Sequence, residues 1–426
     1  MLASANDYEL HFDADWFMWP ELVADGALMP LNDLLPRHAP ALYEHYRDVG
    51  ALEDVTVDGR ILGLPATEFG TGRAWAVVNA EWYEAFGANE PLSSMEQVVE
   101  LMEYVDRHVE SIDYPLDQIW GSNPVNENAM WAMYTKHDLD RAFAEGNHGF
   151  IYDLRQAHEA GEVEIVAVQE TEAYREAAQW RRTFHERGWI PRDAMHDEGE
   201  TYRFHHGRSA VTIRGLRDQF MATSEGVRIE GFMMYPDSYA AFSGFMRNGL
   251  AMNRNAANPE LALAFLEWMY ESQANYDLVM YGIDGTTYEL ARENGQEVVR
   301  HTAGRGPADG YPHWHGRWGF WRLDRIRAGV ADGDPELYSE AIPTAREHPT
   351  NVTSPLAGFQ FDPSQVRSEI ALRKSLLEEH EPPITHGLEA DVDRAIEHLR
   401  EILNEAGAEV IRTELQRQVD EFLGAG

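Results

Sequence analysis

The chain has 426 residues, 44% of them hydrophobic and 11% aromatic, which supports substantial cores, excludes wholesale disorder and implies two lobes rather than one domain. Lysine and arginine number 35 against 73 aspartates and glutamates, and the formal net charge of −38 excludes a nucleic-acid partner, because phosphate binding needs a basic face. Cysteine is absent, which removes disulfides, thiolate zinc sites and cysteine nucleophiles together and leaves the compartment open. Lys136 and Lys374 are the sole lysines. A surface for high salt or high pH explains that bias as well as arginine-rich codon usage does, and neither names a function. No window reaches the apolar run a membrane helix needs, and the opening MLASANDYELHF has neither the basic nor the apolar region of a secretion signal.

Short apolar runs alternate with amphipathic stretches, an α/β pattern. Tyr8–Asp13 reads as a strand, with a helix near Glu21–Asp25. Ile61–Leu64, after the turn signal Asp58-Gly59, reads as a second strand ending at Pro65. Ser94 and Gln97 form a capping box for a helix whose apolar positions Met95, Val98, Val99, Met102, Val105 and Val109 keep the 3.6 period. Asn258-Pro259 opens another, with Leu261, Phe265, Leu266 and Met269 on its expected core face and Trp268 also read as core. Asp362-Pro363 starts a third, and a helical tail from about Asp391 is expected to break at Gly407. With no repeat and no low-complexity linker, the two lobes must be interleaved in sequence.

Six segments carry a family resemblance, in order along nearly the whole chain. Asp54–Pro65, DVTVDGRILGLP, is similar to the segment of extracellular solute-binding proteins that enters the second lobe. Upstream, DYELHFDADWFMWPELVADGALMPLNDLL resembles their first-lobe strand, ligand loop and helix. Phe204–Gly215, FHHGRSAVTIRG, is similar to their F-x-x-G-x-x-A-x-x-x-x-G strand, and Phe242–Tyr281 to the return crossover and its following helix. YGIDGTTYEL and SPLAGFQFDPSQVRSEIA resemble the LipO-like lipoprotein branch of the sugar ABC transporter binding proteins.

The resemblance implies an α/β, two-lobed periplasmic binding protein fold of type II, with interleaved lobes and a helical C-terminal region. Lobe one would comprise 1–68 and 242–285, and lobe two 69–241 and 286–426. It also implies an extracellular, monomeric protein that takes a carbohydrate, an oligosaccharide by expectation, in an interlobe cleft and delivers it to an ABC transporter permease, with no cofactor, no metal and no catalysis. The cleft would close about hinges near Pro65–Gly70, Tyr239–Phe245 and a third between Tyr281–Gly285 and the tail. Relatives begin with a signal, an anchoring cysteine and further strands, so the chain is expected to be truncated at its N-terminus, with membrane attachment only through a lipid anchor it lacks.

A pyranose presents flat C–H faces to aromatic rings and vicinal hydroxyls to carboxylates, amides and arginines. The candidate ligand contacts are Asp15, Trp16 and Trp19 after the first strand, Glu68 after the crossover at Pro65, Trp120 in the DQIWGSNP loop and Arg214 at a strand end. Phe359 and Phe361 stand where relatives offer an aromatic surface, and the HWHGRWGFW segment adds Trp314, Trp318 and Trp321 as a lid or wall. Each also has a structural reading: a tryptophan as core, Glu68 as a solvated acid, Arg214 as the partner of a strand-end carboxylate, one of the alternating Phe359 and Phe361 as core. His205-His206 and the His313/His315 pair lack a third metal ligand, and no Walker loop, HExxH or G-x-S-x-G is present. A glycoside hydrolase or lyase working through paired cleft carboxylates stays open, as does a binding protein for a peptide-like solute, or one that signals to a sensor kinase.

Overall fold

The structure is a computed structural model and describes residues 8–14, 17–67, 72–88, 90–117, 128–143, 149–192, 203–204, 207–214, 228–242, 244–293, 296–302, 319–322, 325, 327–329 and 347–424. The chain forms two compact units: Met1–Phe69, Ser243–Ala328 and Ala357–Asp362 in the first, and Gly70–Phe242, Gly329–Leu356 and Pro363–Gly426 in the second. The sequence expectation put all of 286–426 in lobe two, but 286–328 and 357–362 pack with the first unit. Side-chain bonds hold part of that stretch there: Arg327 Nε donates to Asp277 Oδ2 at 2.8 Å, and Gln273 Nε2 donates to the Arg325 carbonyl at 2.7 Å.

In the first unit, three short strands form a sheet in the order Leu10–Asp13, Gly249–Met252, Leu64–Pro65. The central strand is antiparallel to both neighbours, with Asp13 opposite Gly249 and Gly249 opposite Pro65. Gly249 lets them approach: a Cβ there would sit 2.8 Å from the Leu64 carbonyl oxygen.

Helix Pro259–Glu271 packs on this unit through Leu263, Leu266, Met269 and Tyr270. That corrects the expected core face, because Leu261 is 69% exposed, Phe265 40% and Trp268 39%. The helix is apolar nearly all round, so periodicity alone does not choose a side. Two polar anchors choose it. The Tyr270 hydroxyl donates to the Phe320 carbonyl at 3.1 Å. The Glu267 carboxylate accepts from the Ala41 and Leu42 amides at 2.9 and 3.1 Å. It thereby caps helix Pro40–Asp48, whose own Ala39 offers no capping side chain.

The second unit is built on a sheet in the order Ile229–Met233, Trp75–Asn79, Ser209–Arg214, Tyr114–Leu116. Strand 75–79 is antiparallel to both neighbours, and 209–214 runs parallel to 114–116. Helix Met95–His108 begins where the sequence places it. Ser94 Oγ accepts from the Gln97 amide at 3.4 Å, while Gln97 Oε1 accepts from the Ser93 amide at 2.8 Å. Its Met95, Val98, Leu101, Met102 and Val105 join Val78, Val211, Ile213 and Leu116 of the sheet and Phe184 of helix Glu172–Arg187 in one core.

The C-terminal region is helical over Arg367–His380, Pro382–Thr385, Val392–Glu405 and Ala408–Gly424, with Gly407 at φ 91° between the last two. Ile396, Leu399 and Leu403 carry it into the same core. Buried polar groups fix its position: Arg373 Nη2 donates to Gln169 Oε1 at 2.9 Å, Gln169 Nε2 to Glu381 Oε1 at 3.0 Å, and the Tyr174 hydroxyl to the same oxygen at 2.9 Å. An amide thus lies between a buried cation and a buried anion, which gives both ends hydrogen bonds.

Candidate functional site

In open α/β sheets, ligands gather outside the carboxyl ends of the strands, where chain leaves the sheet and side chains are free of packing. Each unit has such an end. In the first, the register puts Asp13 and Pro65 on either side of Gly249, so the segments after strands 10–13 and 64–65 emerge together.

Asp13 is fully buried at that end. Its Oδ1 accepts from the Ala14 amide at 2.9 Å and the Met18 amide at 3.1 Å, and Oδ2 lies 3.2 Å from His11 Nε2. One carboxylate oxygen therefore ties both ends of the loop that follows the strand. The Phe17 amide donates to the Ala14 carbonyl at 3.1 Å, a turn that leaves the Phe17 ring 51% exposed beside Phe12. Trp19 differs from the expectation of a ligand wall. It is fully buried, with its indole N–H directed at the Leu62 carbonyl at 3.5 Å.

At the second exit, the Ala66 amide donates to the Asn248 carbonyl at 2.9 Å, and the Thr67 hydroxyl meets His45 Nε2 at 2.7 Å. Arg322 approaches His45 Nδ1 at 3.4 Å and lies 4.9 Å over the Tyr270 ring. Burial raises the Tyr46 hydroxyl above its ordinary range, against the opposing pull of Arg322. Phe359 is half-buried and Phe361 only 5% exposed, the split that alternation along an extended segment produces. Trp321, proposed with the aromatic lid, is 2% exposed and belongs to the interior.

In the second unit, strands 114–116 and 209–214 are parallel, so Asp117 and Arg214 leave the sheet at the same end. Trp75 lies there too, opposite Arg214 in register. Asp117 is fully buried, its amide donating to the Val211 carbonyl at 2.8 Å, and Trp75 is 4% exposed. Asp15, Trp16, Glu68, Trp120, Trp314 and Trp318 lie outside the described residues, as does the side chain of Arg214.

Asp13, Phe17, Trp75 and Asp117 were not singled out from the sequence. The signal for the two acids was present, since each directly ends an apolar strand. Among the described residues, no group of three or more histidines or carboxylates is arranged to hold a metal ion, and no helix is long and apolar enough to cross a membrane.

The chain belongs to the bacterial extracellular solute-binding proteins, whose family profile matches residues 12–291. The profile of a domain of unknown function matches residues 355–424, the C-terminal helices. A carbohydrate ABC transporter substrate-binding protein of Streptococcus pneumoniae is 22% identical over 99% of this chain and 80% of its own. Among solved structures, the N-glycan transport solute-binding protein of Streptococcus pneumoniae, in complex with Man1GlcNAc, matches with a TM-score of 0.77 at 20% identity over 99% of this chain and 88% of that one. A second binding protein of that organism, in complex with kestose, gives 0.64 at 14% identity over 100% and 90%. These likenesses bear out the fold class read from the sequence, an α/β binding protein of type II.

Proposed function

We propose that the chain captures an oligosaccharide outside the cell and delivers it to the permease of an ABC transporter, without chemical change to the sugar. The observation that carries this reading is the family match together with the exposed aromatic ring of Phe17 just after the first strand. Rings of this kind cover the C–H faces of a pyranose, and carboxylates accept from its hydroxyl rim. Names of the relatives support the solute class, since the curated protein is a carbohydrate binder and the similar structures hold Man1GlcNAc and kestose. The proposed contacts are Phe17, Asp15, Trp16, Glu68, Trp120, Arg214, Trp318 and Phe359, in a protein that acts as a monomer and reaches the membrane through its permease or a lipid anchor.

The test is a thermal-shift and calorimetric screen of the protein against mannose–N-acetylglucosamine, kestose, other oligosaccharides and peptides. A ligand at a hundredfold its Kd adds about 2.7 kcal/mol to the native state, which is a readily measured shift. Binding of one sugar class without release of smaller sugars is expected. Peptide binding alone overturns the solute class, and turnover of a bound glycan overturns the transport role. With a sugar in hand, Phe17→Ala is expected to weaken Kd roughly tenfold, as truncation of an aromatic contact does, without lowering the unfolding temperature.

A further inference from the structure

Arg73 is fully buried, yet its hydrogen-bond partners among the described residues are all neutral. Nη1 donates to the Tyr235 carbonyl at 2.9 Å. Nη2 donates to the Ser238 carbonyl at 2.8 Å, to Thr350 Oγ1 at 2.6 Å and to Asn351 Oδ1 at 3.3 Å. Burial lowers the guanidinium to about 10, and Asp138 pulls it back upward, so it stays charged at neutral pH. A buried arginine is retained where its planar fork reaches several acceptors at once, which neither a lysine nor an apolar residue does.

The acceptors come from two stretches far apart in sequence, and Arg73 lies on a third. All three run on into the other compact unit, past Phe69, Phe242 and Leu356. Backbone bonds run between the same stretches. The Gly72 amide donates to the Ala241 carbonyl, Ala240 to Thr350 and Ser354 to Phe242, at 3.2, 3.0 and 2.9 Å, and strands Ala240–Phe242 and Asn351–Thr353 pair in parallel. The Thr350 hydroxyl, while accepting from Arg73, donates to the Pro236 carbonyl at 3.1 Å. Tyr235 holds φ at 48°, a conformation uncommon for a bulky residue, and its carbonyl is one that Arg73 engages.

We propose that Arg73 is a positioning residue, a clasp that makes the crossover stretches 72–74, 235–242 and 350–354 one mechanical element that opens and shifts as a unit. A two-stranded parallel pair of three residues each is too short to hold by its own ladder. The guanidinium adds side-chain bonds to this short ladder, on three of the stretches by which the chain passes from one compact unit to the other. This inference concerns the ligand-free chain and stands whether or not the bound solute is a sugar.

Native-state hydrogen exchange on the full chain tests it, with Arg73→Gln, Arg73→Lys and Thr350→Val beside the wild type. In the wild type, amides of the three stretches are expected to share one opening rate. Arg73→Gln is expected to speed all three together by about tenfold or more, while peptides from strands 75–79 and 209–214 keep their protection. Arg73→Lys is expected not to restore coupling, since one ammonium does not span the acceptors, and Thr350→Val to give the same pattern more weakly. Acceleration confined to one stretch overturns the clasp. So does equal acceleration throughout the second unit, which assigns Arg73 to general stability, and Thr350→Val separates these outcomes if Arg73→Gln does not fold.

Discussion

Helices Met95–His108 and Pro259–Glu271 look alike in sequence, each opened by a recognisable cap and each carrying repeated apolar residues. Only the first buries the face its periodicity indicates. Its polar positions fall on one side and leave a single orientation. The second reads LALAFLEWM with little polar contrast, and its orientation comes from Glu267 and Tyr270, which bond to distant parts of the chain. Periodicity selects a buried face only where both kinds of residue are present to be sorted. Where they are not, a few hydrogen bonds decide.

The comparison breaks or sharpens through substitutions of graded effect. Leu101→Ala, at a fully buried position of the first helix, is expected to lower stability by about 2–5 kcal/mol in chemical denaturation, with Leu266→Ala in the same range on the second. A small loss at Leu266 would mean that the orientation described for its helix is wrong. Ser94→Ala removes the cap of the first helix and is expected to cost about 1 kcal/mol. Leu261→Gln, on the exposed side of the second, is expected to stay within about 0.5 kcal/mol of the wild type. A larger loss there would restore the face suggested by periodicity.

Much of the fold was legible in the residues. The strand ending at Asp13, the Ser94 cap, the Asn258-Pro259 opening and the break at Gly407 all follow from local rules of capping, turn formation and alternation. What was not legible depends on partners remote in sequence. Residues 286–328 join the first unit, aided by Arg327 and Asp277, and no local pattern announces that pairing. The site divides in the same way. An aromatic-rich loop after the first strand was visible, but of its two described rings the larger, Trp19, is buried and the smaller, Phe17, is exposed. The buried ring directs its indole N–H at the Leu62 carbonyl, a partner 43 residues on that composition does not announce.

The bond between Glu267 and the start of helix Pro40–Asp48 also orders events in time. The capping carboxylate lies 226 residues downstream of the Ala41 amide it receives, and strand Leu10–Asp13 likewise waits for Gly249–Met252. At synthesis rates of about 5–20 residues per second, the helix is made on the order of ten to fifty seconds before its cap exists. The second unit waits longer still, for the C-terminal helices that complete its core, and the first stays incomplete long after its N-terminal strand and helices are made. Through that interval its apolar strands have only chaperones, or the wrong neighbours, to cover them.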